Sequence, residues 1–116
     1  VAIDRHAMGN KHEEWLADTF GGRRTRGSGN QWRDPIDGRQ NHREVEFAFA
    51  WDGKSTMAKS ITIDRPMLKK AVEQAGPERP MIGVRFYDDE RLRNFEDWVL
   101  IKAEDLIEIV ERASGS

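Results

Sequence analysis

The sequence predicts an α/β (α+β) domain, a mixed β-sheet with helices packed on it. Three observations carry this expectation. The order of segments is helix, two or three strands, helix, two strands, helix. Residues 44–51 alternate apolar and polar side chains as a half-buried strand does. A helix with a clear start, Asp64-Arg65-Pro66, separates the early strands from the later ones.

The first helix is expected over residues 9–20, where Trp15, Leu16 and Phe20 supply apolar weight and Gly21-Gly22 stops it. A short basic segment follows, residues 23–26, with the spacing of a brief strand. Residues 27–43 are rich in Gly, Asn, Gln and Asp and read as loops and turns. In the strand at 44–51, Val45, Phe47, Phe49 and Trp51 point one way, and Glu44, Glu46, Ala48, Ala50 and Asp52 the other. Gly53 marks a bend or bulge. Residues 60–63 fit a short strand. The second helix takes Asp64 as N-cap and runs to Ala75, where Gly76-Pro77 ends it. Residues 81–87 and 98–101 read as strands joined by a charged turn. A last helix covers 105–113 with Leu106, Ile109 and Val110 on one face.

The 116 residues suffice for one domain, 1–116, with a core over about 9–112. The chain is 37% hydrophobic and 34% charged, and apolar runs recur throughout, which argues against disorder. No stretch approaches the roughly 20 apolar residues of a membrane span, and no signal-peptide pattern opens the sequence. The absence of cysteine excludes disulfides, thiol nucleophiles and Cys-ligated zinc, and suits a reducing cytoplasm. Net charge is −2, but its distribution is uneven. Arg23, Arg24, Arg26, Arg33, Arg39 and Arg43 crowd one segment against Asp34 and Asp37, while the C-terminal part is acidic. Such a split permits local phosphate binding, and also describes an ordinary solvated surface.

The chemistry centres on three residues. Asp52 and Lys54 are two apart on one strand and share a face, beside the small side chains of Ala48 and Ala50. That leaves space for a metal, a water and a phosphate, or for a closely packed helix. Asp37 follows Pro35-Ile36, and a short connection brings it beside Asp52. Converging carboxylates favour a cation between them, and hard oxygen ligands suit Mg²⁺. Lys54 could orient a water or stabilise developing charge. Glu13 precedes Leu16, Ala17 and Phe20 at helical spacing, on the stripe expected to face the sheet. It is either a third metal ligand or the partner of an arginine in the basic segment.

These residues resemble a known family. Pro35-Ile36-Asp37 followed by Asp52-Gly53-Lys54 looks like the signature of the PD-(D/E)XK nucleases. Gly9, Glu13, Leu16 and Phe20 are similar to the first-helix pattern of the small Holliday-junction resolvases of archaea and phages. Arg26-Gly27-Ser28-Gly29-Asn30 resembles their Arg/Ser-Gly loop, and Lys54-Ser55-Thr56, Ser60-Ile61 and Arg79-Pro80-Met81-Ile82-Gly83-Val84 continue the likeness. It spans roughly residues 9 to 110. The resemblance implies a restriction-endonuclease-like fold and a dimeric enzyme, dependent on Mg²⁺ with Mn²⁺ as substitute, that nicks branched DNA in the cytoplasm. Glu13, Asp37 and Asp52 would be metal ligands or near-ligands, Lys54 the catalytic lysine, and Ser28 a contact to the phosphate near the cut. The chain departs from the pattern in two places. The middle acid is Asp52 where Glu is common. Asp37 is followed by Gly38-Arg39 instead of apolar residues, which leaves Asp34 as its rival in the metal site.

DNA contacts are expected from Arg23, Arg24, Arg26, Asn30, Arg33 and Lys59, with Arg65 extending that track and Lys69 and Lys70 either extending it too or forming a solvated helix face. Trp32 either stacks on a base or plugs its loop onto the core. Trp15, Trp51 and Trp98 fit core positions. His6, His12 and His42 match no ligand spacing and read as surface residues. Gly27-Ser28-Gly29-Asn30 lacks the lysine and following helix of a nucleotide-binding loop. Two other functions remain open on this sequence: a nicking, repair or exonuclease-like enzyme on the same fold, and a non-catalytic DNA-binding module.

Overall fold

The computed structural model describes residues 5–20, 23–24, 36–40 and 47–115, with the backbone alone at 5, 23 and 24. The elements are α1 (Arg5–Phe20), β1 (Arg23–Arg24), β2 (Gly38–Arg39), β3 (Phe49–Thr56), α2 (Arg65–Ala75), β4 (Arg79–Tyr87), β5 (Phe95–Ile101) and α3 (Ala103–Gly115). The sheet order is β1-β2-β3-β4-β5. β3 and β4 run parallel, joined by α2 as a crossover, and the other pairs are antiparallel. The expected mixed sheet flanked by helices is the observed architecture.

Period-two alternation on β3 and β4 divides the core between the sheet's faces. On one, Leu16 of α1 packs with Phe49, Trp51 and Met81. Gly53 and Gly83 pair side by side beneath α1, so His12 and Leu16 sit directly on the sheet. On the other, Ala75 of α2 packs with Ala50 and Ile36, and Ala71 with Ile82 and Val84. Ala50 therefore leaves room for a helix, one of the two uses its small side chain allowed.

The start and stop of α2 are as expected. The Asp64 carboxylate accepts the Met67 amide at 3.0 Å, Pro66 sits in the first turn, and Gly76 closes the helix at φ 63°. Other boundaries differ. α1 begins at Arg5, and β3 runs through Gly53 to Thr56 instead of bending there. Residues 60–63 are not a strand; Ile61 and Ile63 alternate because they pack against Ala71, Ile82 and Val84. β5 begins at Phe95, and α3 covers 103–115.

Four side chains depart from their expected environments. His12 is 1% exposed, not at the surface, because the paired glycines make space for an imidazole. Trp98 is 58% exposed, since β5 is the sheet's last strand and α2 does not extend over it. Leu106 and Val110 are exposed, because α3 meets the body through Ile109, which packs against the Phe49, Trp51 and Met81 cluster, and through Arg79, which binds Asp105 at 2.6 Å and Glu108 at 2.8 Å. Under α1, Arg85 clamps Asp97 across β4 and β5 at 2.7 and 2.9 Å and lies 3.8 Å over the Phe95 ring. Among the described residues, no helix is long and apolar enough to cross a membrane.

Candidate active site

The middle of the sheet assembles three of the expected residues. The β2–β3 register sets Gly38 opposite Trp51 and Arg39 opposite Ala50, which brings Asp37 to the level of Asp52. There Asp37 Oδ2 accepts the Gly53 amide at 2.7 Å, extending the ladder with a side chain where β2 has ended. The Asp52 carboxylate in turn takes the Asp37 backbone amide. Lys54, two residues along β3, shares the Asp52 face, and Lys70 of α2 adds positive charge from above.

Gly38-Arg39, which interrupts the apolar pattern usual after such an aspartate, has a local explanation. A Cβ at Gly38 would come within 2.6 Å of the Trp51 indole nitrogen, so the buried ring requires glycine. Arg39 is taken up by the end of α2, where it donates to the Ala75 carbonyl at 3.3 Å, the Gln74 carbonyl at 3.1 Å and Glu78 at 2.8 Å. A guanidinium at a helix C-terminus satisfies carbonyls the helix leaves open. Arg39 is thus a structural clamp between β2 and α2.

Burial raises the Asp52 pKa above its usual value; the neighbouring Asp37 charge adds to the rise, while Lys54, the Asp37 amide and Lys70 oppose it. Two carboxylates under these conditions are relieved by a divalent cation more effectively than by the lysines alone. Among the described residues, no three His, Asp or Glu side chains come together as a metal cage. Mg²⁺ does not need one: it binds through one or two carboxylates and keeps its remaining positions for water and phosphate oxygens. Asp37 and Asp52 fit that mode.

Glu13 does not join them as a third ligand. α1 turns Met8, His12 and Leu16 into the sheet and leaves Glu13 half-buried on the flank. The helix also packs on the face of β3 that carries Trp51 and Gly53, opposite Asp52 and Lys54. His12 is the inward polar residue instead. Burial first, and the Arg85 charge after it, bring its pKa from 6.5 down to about 4, with Asp97 and Asp37 partly opposing. Neither imidazole nitrogen has a hydrogen-bond partner among the described residues.

Arg26, Ser28, Asn30, Trp32, Arg33 and Asp34 lie outside the described residues, as do the side chains of Arg23 and Arg24. The backbone of Arg23 and Arg24 pairs with β2, on the Asp37 side of the sheet. Lys59 is exposed just beyond β3. Sequence reasoning missed Arg39 and His12. A lone arginine two residues past a candidate ligand carries no signal of a helix cap 35 residues away, and a histidine beside a more plausible glutamate carries none of burial. No protein-family model, curated protein or solved structure matches the chain.

Proposed function

We propose that this chain is a Mg²⁺-dependent endodeoxyribonuclease that hydrolyses phosphodiester bonds in branched DNA, acting as a two-fold dimer to nick four-way junctions in pairs. The observation that supports it best is the meeting of Asp37 and Asp52 across neighbouring strands, with Lys54 on the Asp52 face. A purely structural strand has no use for two charges of one sign and a lysine at the same level.

In this reading Asp37 and Asp52 hold the cation. When bound, Mg²⁺ supplies charge neutralisation and Lewis-acid polarisation at the scissile phosphate. Asp37 keeps one oxygen on the Gly53 amide, which fixes its carboxylate beside Asp52. Lys54 places an ammonium beside the reacting phosphate, where it stabilises charge developing on the oxygens and orients a water for in-line attack. Lys70 draws the DNA backbone toward the same face.

The second reading is a DNA-binding module without catalysis. It is favoured by the lack of a third carboxylate beside Asp37 and Asp52 among the described residues. Incubation with a synthetic four-way junction in Mg²⁺ separates the two. The nuclease reading expects paired nicks from the intact protein and at least a hundredfold loss in Asp52→Ala and Lys54→Ala, in line with removing a charge that acts in the transition state. Binding without cleavage in either Mg²⁺ or Mn²⁺ would leave the module. Linear duplex, flap and single-stranded substrates in parallel show whether another nuclease specificity applies.

A further inference from the structure

The large apolar side chains that this protein exposes, among the described residues, lie on α2, β5 and α3. α3 is the clearest case. Leu106, Ile107 and Val110 are 52%, 56% and 53% exposed, while Asp105 on the same helix is buried. The helix meets the body through Asp105, Glu108 and a single large apolar side chain, Ile109, and turns Leu106, Ile107 and Val110 outward, an apolar face larger than a surface helix leaves once it has found its final partner. A 13-residue helix in water is marginal without such packing.

The opposite element of the surface is a groove of about 1040 Å³ between α2 and β5. Its floor is Ala71, Ile82 and Leu100, and Leu68 and Val72 form one wall. Arg65 and Lys69 stand exposed on its rim. At that volume it exceeds most small-ligand pockets and suits a helical segment.

We propose that α3 of a second copy of this chain occupies the groove, and that the exchange is reciprocal in a two-fold dimer. Charge selects this occupant. The outward face of α3 is flanked by Glu104 and Glu111, and the groove rim carries Arg65 and Lys69. Two α3 helices laid against each other would set acid against acid, whereas α3 in the groove sets acid against base. The short link through Lys102 ties α3 to the end of β5 with its apolar face turned away from the body, so the groove and the helix that fits it are met by different copies. Two-fold symmetry makes both contacts at once and closes the assembly. The surface argument does not use the catalytic residues. A monomeric protein would remove paired nicking and leave single-strand hydrolysis by Asp52 and Lys54 measurable, so the two readings fail separately.

The test is sedimentation equilibrium of the intact chain, with far-UV circular dichroism confirming the fold of each variant. The wild type is expected to dimerise. Leu106→Glu on α3 and Val72→Glu in the groove each weaken association by about a hundredfold or more, because a two-fold interface contains each substitution twice. An equimolar mixture of the two variants regains part of the association, since one α3 and one groove remain intact in the heterodimer. A wild type that stays monomeric overturns the proposal. So do folded variants that associate like the wild type, and a mixture no stronger than either variant alone, which points to another surface.

Discussion

Asp37 Oδ2 accepts the Gly53 amide at 2.7 Å, one residue along β3 from Asp52. The aspartate is therefore both a part of the sheet and a part of the candidate site, and the two roles can be separated by substitution. Asp37→Asn keeps an oxygen acceptor and removes the charge; Asp37→Ala removes both. The alanine variant is expected to lose about 1–2 kcal/mol in urea unfolding, for an unsatisfied buried amide, and the asparagine variant about 0.5 kcal/mol or less. Both should lose Mg²⁺-dependent cleavage. An asparagine variant that cleaves at the wild-type rate would reduce Asp37 to a strand cap.

Asp52 is expected to weaken the metal-free fold. Its folded pKa is raised, first by burial and then by Asp37. The carboxyl's favourable contribution is complete below the unfolded value of 3.8 and is lost as pH rises through the raised folded value. At neutral pH, Asp52→Asn should therefore be more stable than the wild type in EDTA, the trade expected where a site works against stability. Added Mg²⁺ should raise the melting temperature of the wild type and not that of the variant. A destabilised Asp52→Asn in EDTA would sink this account.

The sequence made much of this site legible and left part of it hidden, for physical reasons. Phe47, Phe49 and Trp51 against Ala48 and Ala50 announce a two-faced strand, so the shared face of Asp52 and Lys54 could be read directly. Asp64 and Pro66 fix the start of α2 by local chemistry alone. β2 could not be read, because two residues have no period. On α1, His12 and Glu13 stand four and three residues before Leu16 and compete equally for the inward position. What decides between them is the glycine pair on β3 and β4, some forty and seventy residues later in the chain. Trp98 opens an apolar run, Trp98-Val99-Leu100-Ile101, as a core strand does, but burial also requires a helix above it, and β5 is where α2 no longer covers the sheet.

His12 sets an acid limit on the fold. With a folded pKa of about 4 against 6.5, the unfolded chain takes up a proton that the folded chain refuses. The stabilising contribution is full above about 6.5 and declines as pH falls from there toward about 4. The span corresponds to roughly 3 kcal/mol at about 1.4 kcal/mol per pKa unit. Chemical denaturation of the wild type and of His12→Leu across this range should show a steep slope in the first and a shallower one in the second. Parallel slopes would place the acid sensitivity elsewhere, among the carboxylates.

Gly53 and Gly83 are neighbours in the sheet beneath one helix, yet they should differ in tolerance to a methyl group. A Cβ at Gly83 would meet Leu16 Cδ2 at 2.7 Å, Leu16 Cδ1 at 2.9 Å and His12 Nε2 at 3.0 Å. Both partners are fully buried, so neither can swing aside without lifting α1 from the sheet. Gly83→Ala should cost about 1–3 kcal/mol. At Gly53 the nearest approaches are 3.4 Å to Leu16 and 3.5 Å to His12, ordinary contact distances. Gly53→Ala is expected to change stability by about 0.5 kcal/mol or less, helped by the lower entropy of the unfolded chain. Shortening the obstructing side chain provides an internal control. Gly83→Ala combined with Leu16→Val should cost less than the two single variants added together, because the methyl then fills space that the lost carbon vacates. Strict additivity between them would show that α1 does not rest on Gly83.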